Sequence, residues 1–218
     1  MLERISRRER FDLIIAWLAI SVAFSLAFSG GVGIWMGSPI QETSLGEYLV
    51  YLILSMITVG VGFVLHELAH KFTAMHYGYW AEFRKDNLML LVAVVLAALV
   101  GVVFAAPGAT MIYGAGITRE QNGKISAAGP LTNLLLCIPF ALILLLSGWI
   151  DAATAWRNLL SLIGMVGLQV NAMIAAFNLL PVSVLDGRKV LAWNPAVFMV
   201  LIVAAFGILL ATFSPSIL

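Results

Sequence analysis

The chain has one cysteine in 218 residues, Cys137, so no internal disulfide can form. With no second thiolate, a zinc site would have to draw mainly on His, Asp or Glu. Charge is scarce as well. Asp, Glu, Lys and Arg make up 11% of the chain and the formal net charge is +1, which offers no basic excess on which to argue a nucleic-acid partner. Histidine occurs three times, and no glutamate follows Glu120. What fills the chain instead is apolar: 62% of residues are hydrophobic and the mean hydropathy is +1.03. That excess points to an integral membrane protein with a handful of spanning helices and no sizeable domain outside the bilayer.

Four arginines, Arg4, Arg7, Arg8 and Arg10, precede an apolar run over Phe11–Ser29, long enough to span and without a clear cleavage site. A second run covers about Tyr48–His76, and a polar loop is expected over Gly78–Asn87. Leu88–Ala106 is strongly apolar and leads into Pro107–Gly116, a stretch of small and β-tolerant residues. Further spans are expected at Ile125–Trp149, which opens on Gly129-Pro130, at about Asn158–Leu180 and at Val190–Phe213. The reading is an all-α polytopic membrane protein: about five spanning helices plus a re-entrant or membrane-associated segment with short β-strands. It forms one domain with a core over about 48–189, flanked by spans at about 11–29 and 190–213.

Inside the second run stands His66-Glu67-Leu68-Ala69-His70. On a helix, residues four apart share a face, so both imidazoles can reach one Zn²⁺ and Glu67 stands beside its open positions. Ionisable groups at bilayer depth cost about 2.5–3.5 kcal/mol each, which favours a functional reason for them. Two histidines leave a catalytic zinc site one ligand short. Glu82, Asp86, Glu120 and Asp186 are the carboxylate candidates, and only Asp186 lies at the end of a spanning segment, in an Asp-Gly turn. Asn133, Gln169 and Asn171 read as interhelical hydrogen-bond partners, and His76 falls off the face of the other two histidines.

The order His66-Glu67-x-x-His70, then Gly129-Pro130-x-x-Asn133, then Asn178-x-x-Pro181-x-x-x-Leu185-Asp186-Gly187 resembles the site-2 proteases, intramembrane zinc metalloproteases that cut transmembrane helices. The resemblance covers about Tyr48 to Lys189. It implies one Zn²⁺ per chain held by His66, His70 and Asp186, with Glu67 as catalytic base and Asn178 as a donor to the substrate carbonyl or developing oxyanion. It implies as partners single-span or helical membrane proteins within a lipid bilayer. Two features depart from the family pattern: Ser183 stands where a second proline is common, and the insert Leu88–Ala106 is long.

If His70 and Asp186 meet at one metal, an odd number of crossings separates them, so the insert should enter and leave on one side. With the N-terminus cytosolic, every basic residue except Arg157 then lies inside; a crossing insert would instead put Arg157 inside and Arg119, Lys124, Arg188 and Lys189 outside. The positive-inside tendency favours the first arrangement, a cell-membrane protein with its active site nearer the cytosolic side and its C-terminus outside. A substrate segment unwound for cleavage could add as a strand to Thr110, Met111, Ile112, Tyr113 and Gly114. The rival readings are a metalloprotease with a downstream glutamate ligand, which no glutamate after Glu120 could supply, and a zinc-binding or inactive homologue that only binds partner helices.

Overall fold

The computed structural model describes residues 5–29, 44–101, 103, 108–151, 154–182 and 184–213, so Ser183 lies outside the described residues. The elements in order are α1 (Arg7–Phe28), α2 (Leu45–His76), β1 (Trp80–Lys85), α3 (Asn87–Val100), β2 (Gly108–Tyr113), α4 (Arg119–Ser147), α5 (Ala155–Asn178), α6 (Asp186–Trp193) and α7 (Pro195–Ala211). Among the described residues, α1, α2, α4 and α5 are long and apolar enough to cross a membrane. The protein is an all-α polytopic membrane protein with one two-stranded sheet, β1–β2, among the described residues.

Two of the apolar runs fold differently from their sequence outline. The insert forms α3, 14 residues long. At 1.5 Å per residue that is about 21 Å, short of a hydrocarbon core of about 30 Å. The last run is broken: α6 ends at Trp193, Asn194 accepts from the Ala196 and Val197 N–H groups, and Pro195 begins α7. An Asn cap followed by Pro at the first helical position starts a new helix rather than continuing the old one. This leaves α7, the expected fifth span, at 17 residues. The stretch expected as a polar loop contains β1, which pairs with β2.

The chain clusters into two compact units, one made of Met1–Val64 and Glu82–Met111, the other of Leu65–Ala81 and Ile112–Leu218. In the first unit, Ser6 caps α1 by accepting from the Glu9 N–H at 3.1 Å. Trp17 of α1 donates its indole N–H to the Met56 carbonyl of α2 at 2.9 Å. Its ring lies where a side chain at position 60 would be: a Cβ on Gly60 would stand 1.5 Å from the indole nitrogen. The acidic groups at the start of α1 are buried, and Glu9 Oε1 accepts from the Phe83 N–H of β1 at 3.0 Å. Arg84 pairs with Asp12 at 3.7 Å and with Glu82. Asp86 caps α3 through Leu88 N and Met89 N.

The second unit holds the end of α2, which closes in a Schellman turn. Tyr79 N donates to Ala74 O and Gly78 N to Met75 O, with Gly78 at φ 86°. Thr118 then opens α4 with a capping box to Gln121, so the helix begins before the expected Ile125, and Pro130 and Pro139 lie within it. Each proline removes one helical donor. α4 and α5 run antiparallel, matched pair by pair: a Cβ on Gly164 would meet Leu144 and one on Gly167 would meet Phe140. Cys137 faces Leu168 O at 3.8 Å, and Asn133 meets Asn171. Small residues let apolar helices approach this closely when no hydrophobic force drives them together in lipid. Ala127, Ala175, Ala176, Leu179, Val190, Phe198, Leu201 and Ala205 complete a core among α4, α5, α6 and α7.

Candidate metal centre

The helical spacing of the motif does what the sequence requires. His66 and His70 lie on one face of α2 with Nε2 atoms 3.0 Å apart, and both are buried. Asp186 joins them from the first residue of α6, with Oδ2 at 3.5 Å from His66 Nε2 and 3.1 Å from His70 Nε2. Its other oxygen faces Lys189 Nζ at 3.9 Å. The carboxylate therefore sits at a helix N-terminus, where the backbone dipole favours negative charge, rather than at the end of α5.

Each imidazole is oriented from behind. His70 Nδ1–H donates to the Ile125 carbonyl of α4 at 2.7 Å, and His66 Nδ1–H donates to Asn133 Oδ1 at 2.6 Å. With Nδ1 carrying the proton, both Nε2 lone pairs face the same point. Metal-bound histidines are held this way as a rule, because the second bond fixes tautomer and ring angle. Asn133, which the sequence suggested as interhelical glue, does join α4 to α5 through Asn171, and it faces His66 as well.

Two observations test whether zinc fits. The triangle of Nε2, Nε2 and Oδ2 has sides of 3.0, 3.1 and 3.5 Å. Tetrahedral zinc with bonds of roughly 2.0–2.1 Å needs ligand separations of about 3.3 Å. The second observation is a bare backbone beside the triangle. A Cβ on Gly129 would stand 2.4 Å from His70 Nε2 and 2.6 Å from His66 Nε2, so the volume a methyl would fill is within coordination reach of both nitrogens. The donor set and the space fit one zinc ion. His66, His70 and Asp186 are the one group of this kind among the described residues.

The remaining candidates are placed elsewhere. Glu67 is buried next to His66 on α2. Glu82 pairs with Arg84, Asp86 caps α3, and Glu120 pairs with Lys124 at 2.5 Å. His76 is exposed against Tyr77. Asn178 is the last residue of α5 and donates to Ile174 O at 3.0 Å. Thr110, Met111, Ile112 and Tyr113 lie on β2, which alternates half-buried and exposed residues, and Gly114 follows it at φ 145°. Sequence reasoning undervalued Gly129 and Gly187. A Cβ on Gly187 would stand 2.0 Å from Leu179 O, so only glycine lets α6 begin this close to the end of α5.

A polytopic helical membrane protein that carries a buried His-His-Asp centre, with its two histidines on an HExxH helix, defines a class, the membrane zinc metalloproteases. The comparisons with known proteins narrow it. The chain is 38% identical over 208 residues, 95% of each chain, to the Methanocaldococcus jannaschii protein named "Putative zinc metalloprotease MJ0611". It is 29% identical to "Putative zinc metalloprotease YwhC" of Bacillus subtilis, over 68% of this chain and 69% of the relative. It is also 31% identical to "Putative zinc metalloprotease Rip2" of Mycolicibacterium smegmatis, over 56% and 50%. No family model and no solved structure matches. This chain belongs to the site-2 protease family of zinc metalloproteases.

Proposed function

We propose that the protein is an intramembrane zinc endopeptidase that cleaves transmembrane helices of partner membrane proteins. The observation that carries this reading is the buried His66–His70–Asp186 triangle, with Glu67 beside it, on a helix apolar enough to cross a membrane. The zinc ion, when bound, supplies Lewis acidity: it polarises the scissile carbonyl and lowers the pKa of water to about 7. Glu67 takes the proton of the attacking water and hands it to the leaving amide nitrogen. Asn178 donates to the carbonyl oxygen as negative charge develops on it, for which its amide turns away from Ile174 O.

A helical substrate hides its carbonyls in its own hydrogen bonds and must unwind before it can be cut. β2 receives the unwound segment by strand addition; its exposed residues Ala109, Met111 and Tyr113 support this role, as does its pairing with a single described strand. The N-terminus is cytosolic and the centre lies nearer the cytosolic side. The distribution of basic residues and the short length of α3 support that orientation. Cysteine introduced at Lys124 in a Cys137→Ala background should resist labelling from outside the cell, and efficient labelling would reverse the assignment. The activity is tested with purified protein and a panel of single-span substrates. Cleavage should be abolished by chelator and restored by zinc, and chelator-insensitive cleavage would exclude the mechanism.

A further inference from the structure

Behind His66, a polar chain continues beyond the group that touches the ligand. Asn133 Oδ1 accepts from His66 Nδ1–H at 2.6 Å, Asn133 Nδ2 donates to Asn171 Oδ1 at 3.0 Å, and Asn171 Nδ2 donates to Gly167 O at 2.8 Å. Asn133 and Asn171 are completely buried. A carboxamide is nearly symmetric in shape, so nothing in its packing alone separates its two orientations; hydrogen bonds must do so. Here the direction is set at the far end. Gly167 O is a backbone carbonyl and can only accept, so Asn171 must present its NH₂ to it and its oxygen to Asn133. Asn133 must in turn point its NH₂ at Asn171 and its oxygen at His66. If Asn133 were reversed, an NH₂ group would face His66 Nδ1–H, donor against donor.

We propose that Asn171 is a positioning residue for the metal centre. Without touching metal or ligand, it fixes the direction of the Asn133 amide, and through it the Nδ1–H tautomer of His66 that leaves Nε2 free to bind zinc. The inference rests on the zinc reading above. It makes α5, which contributes no ligand, a determinant of zinc affinity through a bond to α4.

The experiment is a chelator-competition titration of zinc on purified protein in two backgrounds. In the wild-type background, Asn171→Leu removes the acceptor that draws the Asn133 NH₂ away from His66, and zinc affinity should fall about tenfold, the lower end of what outer supports of metal ligands contribute. Asn171→Ser gives the same loss, because a hydroxyl can still satisfy Gly167 O but no longer reaches Asn133. This second variant keeps the test valid if Asn171→Leu prevents folding. In the Asn133→Leu background there is no amide to orient. There the same substitutions at Asn171 should change zinc affinity less than about twofold. Equal losses in both backgrounds would overturn the proposal, because Asn171 would then matter only for packing. No loss in the wild-type background would overturn it as well. Failure of the wild-type protein to bind zinc at all would instead remove the zinc reading beneath it, and is read before any variant is made.

Discussion

Two places in the molecule use the same packing device to different ends. In the first unit, Gly60 leaves the α2 backbone bare and the Trp17 ring fills the space; in the second, Gly129 leaves the α4 backbone bare beside the His66 and His70 rings. In both, a ring N–H donates to a helix carbonyl, Trp17 to Met56 O at 2.9 Å and His70 to Ile125 O at 2.7 Å. The difference is the number of nitrogens. Indole has one, and once it is spent on a carbonyl the seam is closed and purely structural. Imidazole has two, so the same anchoring bond leaves a second nitrogen for an ion. A bare glycine makes a helix joint in one case and a metal pocket in the other, and the choice lies with the ring that faces it.

The sharpest way to separate the two seams is to remove chemistry without removing packing. Glu67→Gln keeps nearly the same shape but cannot take a proton. Turnover should fall by about 10²–10⁴ while zinc content, read by metal analysis of the same sample, stays full. Wild-type-like cleavage by that variant would exclude Glu67 as the general base. Next come the ligand and its pocket. Asp186→Ala should lose most of its zinc, and full occupancy would exclude Asp186 as a ligand. Gly129→Ala should do the same, because its methyl would compete for the space between the imidazoles, yet its zinc-free melting temperature should stay close to that of the wild-type apoprotein.

Gly60→Ala should show the reverse pattern. It displaces the Trp17 ring and should cost about 1–3 kcal/mol in an unfolding titration, as overpacking does, with zinc retained. If both glycine variants lost zinc, or both lost only stability, the distinction between the seams would collapse. The smallest effect is expected for Trp17→Phe, which deletes the bond to Met56 O and trims the part of the ring that lies against Gly60. Unfolding should become easier by about 1 kcal/mol, the usual net worth of one hydrogen bond, with no change in activity.

What the sequence reveals of this site follows from the range of each interaction. His66 and His70 are one helical turn apart, and a five-residue motif on a helix implies their shared face. Asp186 could be read because it carries the one carboxylate at the end of a spanning segment. The supports behind the ligands are a different matter. The His66–Asn133 bond closes over 67 residues and the Asn133–Asn171 bond over 38, and no local pattern encodes which buried amide will face which ring. The start of α4 was legible in principle, since Thr118-x-x-Gln121 is a capping-box pattern, and so was the break at Asn194-Pro195. In both places the apolar runs on either side outweighed the short polar signal. β1 was hidden because Trp80–Lys85, with charges at Glu82, Arg84 and Lys85, shows no clean alternation of apolar and polar residues and its burial does not alternate either.

The order of the ligands along the chain also has a consequence for the protein as it is being made. His66 and His70 leave the ribosome early, whereas Asp186 follows His66 by 186 − 66 = 120 residues and begins a helix only after α5 is complete. At about 5–20 residues per second, the half-built centre persists for roughly 6–24 s. During that interval the chain has a histidine pair and a glutamate but lacks the carboxylate that closes the coordination triangle. A proteolytic centre assembled in this order stays incomplete while its own spans are still being inserted next to other nascent helices, and it becomes complete only when most of the chain that surrounds it exists.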